Sequence, residues 1–240
     1  MKEHKHHQDY LHHQNTISSA LVREMVFGLE DGMVSTLGAI TGIATSTNNH
    51  FFVVLSGSVI IAVESISMAV GSYLSNNSEM AIDERIIAEE KDQIKKFPKE
   101  EKEEMVDLFI KDGWTQTMAE TMAAETAKNP QLMLREMSYR ELNLVPDSHE
   151  SPIKKGAIMF GSYVVGGLIP LIPYVLLPVK EAIMVSIPVT VLGLFALGAL
   201  TTKYSGRKWW KAGLEMMLLA SAAAVIGYVV GQLVDGIWIK

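Results

Sequence analysis

The chain contains no cysteine. That absence excludes disulfides, thiolate zinc sites and a catalytic thiol. Any bound metal must use carboxylate, imidazole, thioether or carbonyl ligands. Nor is there an excess of positive charge. The formal net charge is −6, with 21 Lys and Arg against 27 Asp and Glu, which argues against nucleic acid as a partner. No alternating strand pattern and no repeat of fixed period is visible. The first residues are polar and His-rich with no short apolar core, so no cleavable signal peptide is expected. Charge itself is almost missing from four long stretches, Phe51–Leu74, Gly156–Leu177, Ala182–Leu200 and Ala212–Ile239.

Each of those stretches is near or above the roughly 18–20 apolar residues needed to cross a ~30 Å hydrocarbon layer. The missing charge is concentrated elsewhere. Between Asn76 and Glu150 lie 18 of the 27 acidic residues and 10 basic ones, a net of −8. A globular core alternates charged and apolar residues at helical spacing instead. The expected fold is all-α: a five-helix transmembrane bundle with a cytosolic three-helix insert between the second and third spans.

Residues 1–20 read as a polar tail carrying His4, His6, His7, His12 and His13. The tail is either solvated or a loose metal-collecting arm, since no ligand spacing defines a site there. Residues 21–75 hold the first two spans, Leu21–Thr47 and Phe51–Leu74. Gly28, Gly32, Gly38 and Gly42 recur along the first, a spacing that lets helices approach closely in lipid. Ser75-Asn76-Asn77 reads as a helix-stop cluster. Residues 76–152 form the acidic insert. Its helices are expected over Ser78–Lys96, from Pro98 to about Lys111, and from a Thr115 cap to Asn143 with a break near Asn129-Pro130. Residues 153–240 hold the remaining spans, and Pro170 and Pro173 in the third free carbonyls that neighbours must satisfy. Gly227 and Gly231 form a small-xxx-small contact in the fifth. Basic residues set the orientation. Arg23, Lys154, Lys155, Lys203, Arg207, Lys208 and Lys211 lie on one side, so the N-terminus and insert are expected in the cytosol.

Acids within a span are costly and are functional candidates by default. Asp31 lies about seven residues into the first span, and Met68 about six before the end of the antiparallel second, at similar depth. Glu64 precedes Met68 by one turn on the same face. Two carboxylates with a thioether suit a borderline-soft cation such as ferrous iron. Away from water their charge is penalised, so protons can replace departing metal. The plain alternative is that Glu64 hydrogen-bonds a neighbouring helix and Met68 packs. Glu24 joins Asp31, Glu64 and Met68 as a pathway candidate. In the insert, Glu89 with Asp92, Glu100 with Glu103, and Glu101 with Glu104 stand at i, i+3, each pair on one side of a helix. Facing pairs of this kind build metal sites in bundles, although a Glu/Lys-rich run such as Lys99–Glu104 is a solvated face in most proteins. Met137 and Glu141 put a thioether one turn from a carboxylate, a pair equally compatible with packing. The metal candidates are Glu89, Glu90, Asp92, Glu100, Glu101, Glu103, Glu104, Met137 and Glu141.

Arg23-Glu-Met-Val-Phe-Gly-Leu-Glu-Asp-Gly-Met-Val-Ser-Thr-Leu-Gly-Ala-Ile-Thr-Gly-Ile-Ala44 resembles the first-helix signature of the vacuolar iron transporter family. Ser67-Met-Ala-Val-Gly-Ser-Tyr-Leu-Ser75 and Gly166-Gly-Leu-Ile-Pro-Leu-Ile-Pro173 resemble its second- and third-helix motifs. The likeness runs from about Arg23 to the C-terminus. It implies a homodimer lined by its first helices, exchange of Fe2+ or Mn2+ for protons, export from the cytosol, and an insert that gathers metal through glutamates and methionine. No permanently bound cofactor and no enzymatic activity are implied. By motif, Asp31 and Met68 match the pathway aspartate and methionine, Glu141 the glutamate late in the insert, and Met137 the first residue of a Met-Met pair. Two carboxylate pairs fall near Glu89–Asp92 and Glu100–Glu104. The sequence departs from the pattern in two places. Ser138 replaces the second methionine, and Ile60 stands where well-known eukaryotic members carry a glutamate, with Glu64 one turn later. The compartment expected is a prokaryotic plasma membrane, or a vacuolar membrane in a eukaryote. A broad divalent-metal exporter is the nearest alternative. A membrane-anchored storage or ferroxidase-like module is disfavoured because the insert has one His, His149, outside its expected helices.

Overall fold

The structure, a computed structural model, describes residues 19–144 and 150–218, with residues 221, 222, 225 and 229 beyond. The described residues are helical with no strand. Seven helices follow in order: α1 (Ser19–Thr47), α2 (His50–Lys96), α3 (Pro98–Lys111), α4 (Gln116–Thr126), α5 (Pro130–Arg140), α6 (Pro152–Leu176) and α7 (Val179–Ser205). A further helix, α8, covers residues 209–218. Within α2, α6 and α7 lie stretches long and apolar enough to cross a membrane by length and composition. Helix α1 matches them in length at 29 residues but carries Arg23, Glu24, Glu30 and Asp31 in its first half. The His-rich tail, His149, the Gly227–Gly231 pair and most of the expected fifth span lie outside the described residues.

The chain divides into two compact units, one of Met1–Ser72 with Ile153–Lys240, the other Tyr73–Pro152. In the first unit, α1 crosses α6 through glycine. A Cβ on Gly28 would sit 2.9 Å from the Met159 carbonyl oxygen, and one on Gly32 would strike the Tyr163 carbonyl and lie 2.9 Å from the Gly167 nitrogen. Gly166 returns the contact against the Leu29 carbonyl. Gly38 and Gly42, the other half of the spacing, face open space. Ile40, Ala44, Val53, Tyr174, Val179 and Ala182 close one core, and Met33, Leu194 and Leu197 another. Pro170 and Pro173 remain inside a continuous α6, and the buried Ser186 hydroxyl donates to the Pro170 carbonyl at 2.8 Å.

In the second unit the expected stop at Ser75-Asn76-Asn77 does not occur. Helix α2 runs 47 residues unbroken, roughly 70 Å at 1.5 Å per residue. Asn76 is buried within a regular turn of that helix. Pro98 opens α3 at its first position, where its missing N–H costs nothing. Asp112-Gly113-Trp114 makes the turn, with Gly113 at φ +99°. Thr115 stands at the N-cap of α4, but its side chain accepts no capping bond. The expected third helix is two helices. Asn129 accepts from the Gln131 and Leu132 N–H groups at 3.0 and 3.2 Å and starts α5 at Pro130. Helix α5 then ends at Arg140, three residues before the expected Asn143, which turns the chain at φ 54°. Met105, Phe109, Ala119, Ala123, Met133 and Met137 form this unit's core.

Candidate functional site

In the first unit, α1 and α2 run antiparallel and are tied at two levels. The Ser72 hydroxyl donates to Glu24 Oε2 at 2.8 Å, and Arg23 lies 3.6 Å from the other Glu24 oxygen. Glu24 is buried, so this contact satisfies a carboxylate that has little water. At the second level, the Tyr163 hydroxyl of α6 donates to Glu64 Oε2. Tyr163 is fully buried, and its oxygen lies 2.5 Å from the Ser35 hydroxyl of α1. A phenol that gives its proton to a carboxylate leaves its lone pairs for Ser35, so the chain reads Ser35 to Tyr163 to Glu64. This register sets Asp31 opposite the turn that carries Glu64 and Met68. The Asp31 and Glu64 carboxylates are close enough to repel each other, and Glu30 feels Asp31 in the same way. Asp31, Glu64 and Met68 are all half-buried.

In the second unit, four acids from three helices converge. Glu90 of α2 shares a hydrogen bond with Glu101 of α3 and another with Glu141 at the end of α5. Glu104 adds its charge to all three. Two carboxyls can hydrogen-bond each other only if one holds a proton. Burial, then repulsion from Glu141, Glu101 and Glu104, pushes the Glu90 carboxyl up to about 8. Burial and Glu104 also raise Glu101 and Glu141. Glu90 Oε1 and Glu101 Oε2 are buried with no hydrogen-bond partner. Among the described residues no three His, Asp or Glu side chains are drawn tightly enough together to hold a metal ion as they stand.

The remaining acids point elsewhere. Glu89 pairs with Arg85 at 3.8 Å and Asp92 with Lys96 at 2.6 Å. Glu100 and Glu103 are exposed, and Glu103 lines a surface groove with Lys99, Lys102 and Gln116. Met137 is fully buried in the core, one turn before Glu141, and the neighbouring Ser138 hydroxyl is buried without a partner.

The VIT family matches this chain over residues 22–232. The chain belongs to the VIT family. It is 26% identical to the protein named vacuolar iron transporter 1 in Arabidopsis thaliana, over 90% of this chain and 86% of that one. It is 29% identical to the vacuolar iron transporter of Toxoplasma gondii, over 93% of this chain and 77% of that one. With the vacuolar iron transporter of Plasmodium berghei it shares 26% over 96% of this chain and 88% of that one.

Two residues of this candidate site escape a reading of the sequence: Tyr163 and Ser35. Both sit in apolar or small-residue runs where one hydroxyl carries no pattern. The available signal was Tyr163 itself, a phenol deep in an otherwise apolar stretch, which needs a partner when buried.

Proposed function

We propose that this chain is a membrane transporter that exports ferrous iron from the cytosol in exchange for protons, with manganese as a second substrate. The observation that carries the reading is the facing of Asp31 and Glu64 across two helices, one of them apolar enough to span a bilayer. Carboxylates held at that depth attract a divalent cation, and protons neutralise them once it leaves. Met68, one turn from Glu64, adds a thioether suited to ferrous iron. Glu24 and Ser72 mark the next level along the same faces and form the entry step. Membership of the VIT family, whose relatives here are named vacuolar iron transporters, supports iron as the cargo.

In this reading the chain crosses the membrane five times as a homodimer. Residues 1–20 form a tail, 21–75 the first two spans, 76–152 a cytosolic metal-binding domain and 153–240 the last three spans. Glu90, Glu101, Glu104 and Glu141 collect the cation. The partnerless oxygens of Glu90 and Glu101 support this, because a bound cation would satisfy both and displace the proton they share. Met137 lies one turn from Glu141 and supplies a thioether beside that cluster. Glu89, Asp92, Glu100 and Glu103 contribute the acidic field that concentrates cations around it. The membrane is a prokaryotic plasma membrane or a vacuolar one. No enzymatic step and no resident cofactor enter the mechanism.

Transport by the full chain in proteoliposomes tests the reading, with Fe2+, Mn2+ and Zn2+ supplied with and without a pH gradient. Fe2+ flux that rises with an opposing proton gradient is expected. Flux indifferent to the gradient sinks the antiport, and flux no greater than in empty vesicles sinks the transporter.

A further inference from the structure

The turn between α7 and α8 carries a concentration of cations and aromatics that ion transport does not use. Between Glu181 and Glu215 there is no acidic residue, while Lys203, Arg207, Lys208 and Lys211 all fall within that interval. All four are exposed. Arg207 pairs with Glu215, and Lys211 stands 5.5 Å over the Trp210 ring. Three cations therefore remain in excess on a chain whose formal net charge is −6.

The turn is built to hold its shape. Gly206 closes α7 in the left-handed conformation at φ 65°, with its N–H on the Thr202 carbonyl at 2.9 Å. Helix α8 then starts at once, the Ala212 N–H reaching the Lys208 carbonyl at 3.2 Å. The two helices meet through small residues. A Cβ on Gly198 would sit 3.0 Å from the Ala212 carbonyl carbon and the Gly213 Cα. The Trp209 ring stands edge-on to Phe195, 6.2 Å between centroids, which pins one aromatic of the turn to α7. Even so, Trp209 and Trp210 are 60% and 46% exposed. Leu200, Leu214 and Leu218 are exposed on the same two helices. Exposed apolar side chains on both helices thus lie beside exposed indoles and cations at the turn.

Those three kinds of group together answer the parts of a bilayer leaflet: acyl chains, interface and phosphate. Indoles sit at the headgroup level, and clustered Lys and Arg beside a spanning helix attract anionic lipid. Zwitterionic lipid carries no net charge to answer three cations that meet no carboxylate among the described residues, so charge complementarity selects the anionic class. We propose that this turn is a recognition surface for the headgroup of an anionic phospholipid, with Lys203, Lys208 and Lys211 on the phosphate and Trp209 and Trp210 at the interface. The proposal rests on the membrane reading above.

The test uses tryptophan fluorescence of the full chain carrying W114F and W238F, leaving only Trp209 and Trp210. The protein is reconstituted in equal mixtures of phosphatidylcholine and phosphatidylglycerol, with brominated chains placed on one lipid or the other. Brominated phosphatidylglycerol should quench the stronger, by a relative association constant of about fivefold, the scale of one basic side chain at an anionic surface. K203Q/K208Q/K211Q should bring the ratio to about one, and high salt should do the same to the protein with its lysines intact. Equal quenching by both lipids at low salt overturns the proposal and leaves the membrane reading standing. No quenching by either lipid overturns both. A preference abolished by millimolar inorganic phosphate overturns the lipid assignment in favour of a free-phosphate site.

Discussion

The Tyr163 hydroxyl donates to the Glu64 carboxylate across a sequence separation of 99 residues, joining α6 to α2 at the level where α1 presents Asp31. It gives Glu64 a defined direction. Tyr163→Phe removes the donor while keeping the ring in its packing. Expected are a stability loss of about 1–2 kcal/mol, the scale of an unsatisfied buried group, and slower Fe2+ flux. Thermal unfolding in detergent and proteoliposome flux measure the two. Unchanged flux would mean that Glu64 is oriented by something else.

Asp31→Ala should abolish metal flux while leaving the protein folded, and Asp31→Asn should do the same, because the cation needs the charge and not the shape. Glu64→Gln keeps the Tyr163 contact and should reduce flux without the stability loss. Undiminished export by either Asp31 variant contradicts the proposed pathway.

The insert should show a pH signature. Glu90 ionises near its ordinary 4.5 when unfolded and at about 8 when folded. A raised carboxyl favours the folded state while protonated. Its contribution is therefore complete below about 4.5 and lost as pH rises through about 8. A cation bound at the proposed cluster would displace that proton, so Mn2+ affinity of the full chain should climb with pH up to the same value and then level off. Titration calorimetry across pH 5 to 9 reads both the affinity and the proton released. In Glu90→Gln the released proton should vanish and the slope flatten; a slope that persists would reassign the proton.

The glycine crossing makes a contrast within one helix. Gly32→Ala and Gly166→Ala push a methyl into backbone that cannot move aside, with an expected cost of roughly 1–3 kcal/mol. Gly38→Ala meets nothing and should be neutral or slightly stabilising through its helix propensity. Melting temperatures of the three variants should separate accordingly. An equal loss at Gly38 would show a neighbour packed on that face.

The sequence by itself determined that the described chain is helical, where its apolar stretches lie, and where Pro98, Gly113 and Pro130 separate the helices of the insert. Those features follow from local chemistry: a missing N–H, a permitted positive φ, the cost of charge in lipid. Even there, Ser75-Asn76-Asn77 misled, because a local preference for ending a helix is weak enough for the surrounding helix to override. Only the tertiary structure decided which acids meet. Glu89, Glu90, Glu100, Glu101, Glu103 and Glu104 are alike to any local pattern. Helical periodicity says which of them share a face but not which face another helix will cover. Packing of the Met105, Phe109 and Met137 core brought Glu90, Glu101, Glu104 and Glu141 together and left Glu89, Glu100 and Glu103 apart from them. The same holds for Tyr163, whose partner on α2 is named by the crossing of helices and by nothing nearby in the chain.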